Sequence, residues 1–264
     1  MSATSAPPTR PVTLVTGAAA RIGRAIALEL AAAGHDLVLH CRRSHDEADT
    51  TAASCQALGA ATAVLVADLA DAAQVDALLP AAVAALGRVD ALVNNASLFQ
   101  YDDARGAGPA LLDAHWRVNV GAPVRLAQAL AAHVTLRGGS GCVVNLLDQK
   151  LWNPNPDYFS YTLSKAALKE ATVLQAQALA PAVRVVGVAP GVTLPSGPMT
   201  DTEHERAQRM TPLGRSSTPV DIARAVRFAI ESPAITGSTL LVDGGQHLAG
   251  QSRDVLFLAQ SSIR

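Results

Sequence analysis

A tyrosine and a lysine four residues apart, in Tyr161-Thr162-Leu163-Ser164-Lys165, carry the strongest chemical signal in the chain. The segment runs on into Ala166, Ala167 and Leu168, a helical composition, so Lys165 falls one turn beyond Tyr161 on the same face and both can address one cavity. An ammonium close to a phenol favours the phenolate and lowers the tyrosine pKa, which would allow proton exchange at neutral pH. The pair reads as an acid/base couple, although the same spacing taken alone is common on helix surfaces.

A second signal lies near the N-terminus. Thr16-Gly17-Ala18-Ala19-Ala20-Arg21-Ile22-Gly23 follows the apolar Val12, Leu14 and Val15 and leads into helical periodicity. Strand, glycine turn and helix in that order make an anion site. Gly17 permits the sharp turn, and Gly23 lets a pyrophosphate approach the helix N-terminus, where free N–H groups and the helix dipole favour negative charge. The spacing departs from the commonest G-x-G-x-x-G fingerprint, yet a dinucleotide is the expected ligand.

At the end of the second strand, where NAD-preferring enzymes commonly place an acid, stands His40-Cys41-Arg42-Arg43-Ser44. Two guanidinium groups and a hydroxyl suit a 2′-phosphate, so NADPH is expected over NADH. Asp68-Leu69 and Asn94-Asn95-Ala96-Ser97 follow the third and fourth strands. An Asp there can accept from the adenine amino group and a small Ala96 lets ribose pass the backbone, while Asn is also an ordinary turn former.

The elements that must position these residues alternate. Apolar runs predict strands over 12–16, 36–40, 63–67, 91–94, 142–147, 183–189 and 238–242, rich in Val and Leu and without polar alternation. Between them lie helical patterns, such as Ile22, Ile26, Leu30 and Ala33 closing at Gly34, and Val75, Leu78, Leu79 and Val83 closing at Gly87. Thr218-Pro219-Val220-Asp221 opens a further helix, with Thr as cap and Pro in the first turn. The alternation requires an α/β fold: one domain with a doubly wound parallel sheet of the Rossmann type and helices on both faces.

The 264 residues suit one such domain over 11–249, preceded by a Ser/Thr/Pro-rich, disordered lead-in over 1–10 and followed by a tail over 250–264. The polar, Pro/Gly-containing stretch 194–209 suits a mobile lid, and the tail either docks on a neighbouring subunit or is disordered. A net charge of -1 gives no electrostatic reason to expect nucleic acid or an acidic membrane as partner, and charges, Gly or Pro break every apolar stretch before membrane-spanning length. A small-molecule substrate and a cytoplasmic location are expected. Cys41, Cys55 and Cys142 are widely spaced and the seven His scattered, without metal-ligand spacing, so no metal is expected.

Taken in order, the glycine turn, Asp68-Leu69, Asn94-Asn95-Ala96, Asn119, the Tyr161/Lys165 segment and Pro190-Gly191 closely resemble the short-chain dehydrogenase/reductase family over residues 11–249. The resemblance implies Tyr161 as proton donor, Lys165 as its activator and ribose ligand, and Asn119 as holder of a relay water. It also implies Ile22, Pro190, Gly191 and Thr193 near the cofactor, and a homo-oligomer, with a tetramer favoured.

Two departures narrow it. Arg21 stands where most members have glycine, and Asp148, in Val143-Val144-Asn145-Leu146-Leu147-Asp148, where they have a catalytic serine. Both occur in the pteridine reductase and dihydromonapterin reductase branch, which the chain also resembles in Leu39 to Ser44 and in Asn95-Ala96-Ser97-Leu98-Phe99. A carboxylate can engage the amidine-like edge of a pterin by paired hydrogen bonds, Arg21 can reach a phosphate and the ring, and Phe99 can cover one face. Ser97 is a further candidate for the substrate wall, as are Trp152, Tyr158 and Phe159, ranked below Phe99. The expectation is NADPH-dependent pteridine reduction. An ordinary carbonyl reductase and a non-catalytic NADPH-binding regulator remain as alternatives.

Overall fold

The structure, a computed structural model, describes residues 10–195 and 199–261. Residues 1–9 of the expected lead-in lie outside them. Arg10 is held, its guanidinium donating to the carbonyls of Ala31 and His35 and pairing with Asp36 at 3.0 Å.

Seven strands form one parallel sheet: β1 (Val12–Thr16), β2 (Asp36–Cys41), β3 (Thr62–Val66), β4 (Ala91–Asn94), β5 (Gly141–Leu146), β6 (Val183–Pro190) and β7 (Thr239–Val242). Their order is β3-β2-β1-β4-β5-β6-β7, the doubly wound arrangement expected from the alternation. In the interior strands every residue of β1 and β4 is buried, as a sheet covered on both faces requires. The edge strands β3 and β7 are only half-buried, a difference from the expectation that follows from their having one neighbour each.

Helices α1 (Arg21–Ala32), α2 (His45–Ala57) and α8 (Pro219–Glu231) cover one face, where Ile26, Leu30, Cys55, Ile222 and Val226 join Leu39 and Val144 in one cluster. Helices α3 (Ala72–Leu86), α5 (Ala122–Leu136) and α6 (Phe159–Ala178) cover the other, with Leu78, Leu126, Leu130 and Ala176 against Leu14, Val38 and Leu92. The reversal of strand order falls between β1 and β4, and a crevice opens outside the C-terminal ends of these strands.

The helix ends follow local chemistry. Asp71 caps α3 by accepting from the Ala73 and Gln74 amides, and Gly87 closes it at φ +81°. Thr218 caps α8 in a reciprocal pair with Asp221, as its sequence predicts. The stretch expected to be a lid contains α7 (Asp201–Arg209), opened by a Thr200/Glu203 capping box; residues 196–198 lie outside the described region. The tail carries α9 (Val255–Ser261), which packs on α7 of the same chain, where Arg206 donates to the Ala259 carbonyl at 2.6 Å.

Candidate active site

The turn from β1 into α1 is fixed from across the sheet. Asn95 donates its side-chain amide to the carbonyls of Thr16 and Gly17 at 2.9 and 3.1 Å, and the amides of Asn95 and Ala96 donate to the Thr16 hydroxyl. Gly17 has φ +64°, and a Cβ there would press on Ala96 and Asn95 at 3.1–3.2 Å. A Cβ on Gly23 would stand 2.0 Å from the Gly17 carbonyl oxygen, so this glycine is required for helix-to-turn contact, before any question of ligand approach. Ala20, the residue preceding α1, supplies no side-chain cap, and the first turn of the helix carries no acid, which leaves the terminus suited to an anion.

Arg21 has φ +54°, the left-handed region in which a side chain costs roughly 1–2 kcal/mol and glycine costs little. The position therefore explains why glycine is usual there. The arginine donates to the Pro195 carbonyl at 3.0 Å from an exposed position.

Most of the residues expected to hold the cofactor line one of two cavities, Gly17, Gly23, Arg43 and Ser44 lining neither. The smaller, about 190 Å³, is lined by His40, Arg42, Asp68, Leu69, Ala96 and Ser97. His40 is buried, accepting from the Gly17 amide at 3.2 Å and facing the Ala67 carbonyl at 3.0 Å, so burial pulls its pKa down and its ring braces the turn as a neutral imidazole. Asp68 accepts from the Ala70 amide. Arg42, Arg43 and Ser44 are exposed beside this cavity, and neither guanidinium forms an ion pair among the described residues. Arg43 and Ser44 do not line it.

The larger cavity, about 220 Å³, brings together Arg21, Ile22, Asn95, Ser97, Phe99, Asp148, Tyr161, Lys165, Pro190, Gly191 and Thr193. Tyr161 lies in the first turns of α6 and Asp148 just past β5, and the phenol donates to Asp148 Oδ2 at 2.8 Å. Lys165, buried one turn further, donates to the Leu146 carbonyl at 2.7 Å and lies 5.8 Å from the Tyr161 ring centre. Burial pushes the Tyr161 phenol well above its ordinary value, and Asp148 adds to the push. The expectation that an ammonium lowers it is thus reversed: burial dominates, the phenol faces a carboxylate, and Lys165 spends its ammonium on a carbonyl. Burial also raises Asp148, against the Lys150 amide and the Tyr161 hydroxyl that hydrogen-bond to it, and brings Lys165 down to about 8. The result is a protonated phenol aimed at a carboxylate.

Asn119 sits in a π-helical turn, Arg117–Gly121, and its side chain is committed. It accepts from the Leu98 amide and Ser97 hydroxyl and donates to the Leu98 carbonyl and Ser164 hydroxyl, bracing the loop after β4 against α6. Gly191 follows β6 where a Cβ would meet Ser216 at 2.5 Å, and Thr193 bonds Ser217 at 2.7 Å. Phe99 stacks on Tyr158 with ring centres 4.2 Å apart and meets Tyr161 edge-on at 4.7 Å, making one wall of the cavity. Trp152 is not part of it. The short 3₁₀ turn Gln149–Trp152 carries that ring onto α6, under Lys169 Nζ at 4.9 Å and beside Leu147 and Leu168.

The model of the family described as short chain dehydrogenase matches residues 11–207. The chain belongs to that family. Among curated relatives of this short-chain dehydrogenase, pteridine reductase 1 of Leishmania tarentolae is 34% identical over 282 residues, covering 91% of this chain and 98% of the relative. The 3-oxoacyl-(acyl-carrier-protein) reductase of a Synechocystis species is 34% identical, covering 90% and 97%. Among solved structures, the FolM alternative dihydrofolate reductase 1 of Brucella canis, complexed with NADP, has a TM-score of 0.87 and 42% identity, covering 92% of this chain and 96% of that one.

Sequence reasoning missed part of the dehydrogenase's cavity. Lys150, Gln246, Gln251, Asp254, Val255 and Leu256 all line it, the last four from the chain's C-terminal region. None belongs to a spaced motif. The one available signal was apolar: Val255, Leu256 and Ala259 recur at helical spacing in the tail and join Tyr158, Tyr161 and Met199 in a cluster.

Proposed function

We propose that this short-chain dehydrogenase reduces a pteridine, saturating a ring C=N bond of a dihydropteridine or oxidised pterin at the expense of NADPH. The observation that carries this reading is the Asp148–Tyr161 pair at 2.8 Å in the larger cavity. A carbonyl substrate needs only a hydroxyl donor there, whereas a carboxylate suits the adjacent ring-nitrogen and amino donors of a pterin. Phe99, stacked on Tyr158, offers a flat apolar wall for the ring. The FolM alternative dihydrofolate reductase at 42% identity and the pteridine reductase at 34% support the same substrate class.

The residues present fit NADPH. The uncapped start of α1 suits the pyrophosphate, the cavity between His40 and Ser97 suits the adenosine, and the exposed guanidiniums of Arg42 and Arg43, without an ion pair among the described residues, suit a 2′-phosphate. When bound, NADPH supplies the hydride. Tyr161 holds the proton that the substrate nitrogen takes, Asp148 orients both phenol and ring, and Lys165, anchored on the Leu146 carbonyl, lies over the Tyr161 ring from the next turn. Positioning of the ring and the proton transfer each contribute, the latter about 10²- to 10⁴-fold.

The test is a comparison of dihydromonapterin, dihydrobiopterin, keto-esters and quinones as substrates with NADPH. Asp148→Ser should weaken pteridine turnover far more than carbonyl turnover, and equal losses would count against the assignment. The 3-oxoacyl relative keeps one second reading open, carbonyl reduction at the same site, which preferential turnover of a keto-ester would favour.

The dehydrogenase is further proposed to be a cytoplasmic homotetramer. Leu112 and Trp116 on α4 (Pro109–Trp116) and Leu163 and Leu174 on α6 are exposed apolar side chains on packed helices, and Val220 and Phe228 expose a second patch on α8. If each patch meets its own copy about a two-fold axis, the two give a dimer of dimers. Sedimentation equilibrium yielding a monomer would overturn this. No helix among the described residues is long and apolar enough to cross a membrane, and Cys41, Cys55 and Cys142 are free thiols, which supports a reducing compartment.

A further inference from the structure

Lys150 is a buried lysine outside the Tyr161/Lys165 couple. Its side chain is 4% exposed. The ammonium donates to the Asp157 carbonyl at 2.5 Å, lies 3.3 Å from Asp254 Oδ2 and sits 5.5 Å from the Tyr158 ring centre. The backbone N–H of the same residue donates to Asp148 Oδ1 at 2.9 Å, on the oxygen that Tyr161 does not use. Lys150 thus touches both the carboxylate of the proposed reaction and the aromatic wall.

Asp254 comes from the chain's C-terminal region, 104 residues away in sequence. It is locked in place on both sides. The Asp157 carboxylate accepts from Arg253 at 2.8 Å and from the Asp254 amide at 2.7 Å, and Asp254 Oδ1 accepts from the Leu256 amide at 3.1 Å. Behind it, Val255 and Leu256 pack on Tyr158 and Tyr161.

A buried ammonium is tolerated only while its charge is compensated. Without the Asp254 charge, Lys150 keeps the Asp157 carbonyl, a ring face and only the more distant charges of Asp148 and Asp157, and its head is drawn toward water. The 3₁₀ turn that Asp148 caps loses its anchor with it, because the amide holding Asp148 Oδ1 belongs to the same residue whose buried side chain ties the turn to the C-terminal segment. We propose that Asp254 and Lys150 form a positioning pair, through which the C-terminal segment fixes the orientation of Asp148 toward Tyr161 and the substrate ring. The kinetic part of this inference rests on the pteridine reading; the structural part does not.

The test is a double-mutant cycle of Asp254→Asn, which keeps the shape and the amide contact at Leu256, and Lys150→Met, with Lys150→Arg as the conservative variant. Three quantities are measured: kcat and KM for a dihydropteridine with NADPH, NADPH affinity by fluorescence, and hydrogen exchange over residues 149–153 beside that in β1 and β4. Each single substitution should lower kcat about tenfold or more, leave NADPH affinity within about twofold and speed exchange at 149–153 alone, with Lys150→Arg recovering part of kcat. The double variant should be no worse than the more damaging single one. Unchanged kcat and exchange in Asp254→Asn, losses that multiply, or faster exchange spread across the sheet would each overturn the proposal. Should Lys150→Met fail to fold, Asp254→Asn decides by the same criteria. If the wild-type enzyme turns over no pteridine, the functional reading fails and local exchange in Asp254→Asn still decides this one.

Discussion

At the scale of single residues, burial sets the proton inventory of the site. It raises Asp148 and Tyr161 together and lowers Lys165 to about 8, so at neutral pH the proton of the Tyr161–Asp148 bond stays on the phenol, the form a donor needs. Replacing Tyr161 by Phe should therefore remove most turnover, about 10²-fold or more, while NADPH titration shows affinity retained. A carboxyl whose folded pKa lies above its unfolded one binds protons more tightly when folded, so its ionisation weakens the fold as pH rises through that window and the penalty is complete above it. Asp148→Asn should accordingly raise the melting temperature at pH 7, and the gain should shrink as the pH falls through that window toward the ordinary carboxylate value. For Lys165 the sign is opposite. Between about 8 and 10.5 the unfolded chain holds the extra proton, so stability rises with pH across that interval, and Lys165→Met should remove the rise in denaturant titrations. Tyr161 and Lys165 were legible in the sequence because they share one helix, where spacing translates directly into geometry. Lys150 and Asp254 were not, since a lone lysine and a lone aspartate 104 residues apart form no local pattern.

At the scale of elements, the glycine turn was legible in kind but not in reason. Gly23 reads as room for a phosphate, yet its Cβ position is already taken by the Gly17 carbonyl 2.0 Å away. Gly23→Ala should thus cost stability by about 1–3 kcal/mol, the range for overpacking, as well as NADPH binding, which chemical denaturation and fluorescence titration would read separately. The segment 194–209 reads as a lid from its Pro, Gly and polar content, and that composition hid a helix. Thr200 and Glu203 were the better signal, three residues apart as a capping box requires. Trp152 lies between Asp148 and Tyr161 in sequence, and nothing local reveals that a single 3₁₀ turn points it at Lys169.

At the scale of the whole molecule, alternation of buried apolar runs and helical patterns was enough for the doubly wound sheet, because right-handed crossovers place helices on opposite faces once the winding reverses between β1 and β4. What periodicity could not supply was the tail, whose α9 closes the cavity from a distance that no window along the chain spans. Ligand linkage offers a test of the whole. NADPH at a hundred times its dissociation constant should add about 2.7 kcal/mol to the unfolding free energy, and NADH at the same concentration less. Equal stabilisation by the two would remove the 2′-phosphate role from Arg42 and Arg43.

The clasp of Asn95 on Thr16 joins residues 79 positions apart, across the strand pair at the centre of the sheet. During synthesis, a chain that has emerged only as far as α3 carries the complete glycine turn braced from the His40 side alone, without the Asn95 clasp. Affinity for the coenzyme would then arrive late and abruptly, when β4 docks, and nucleotide in the surroundings would reward only those molecules whose two halves have already met.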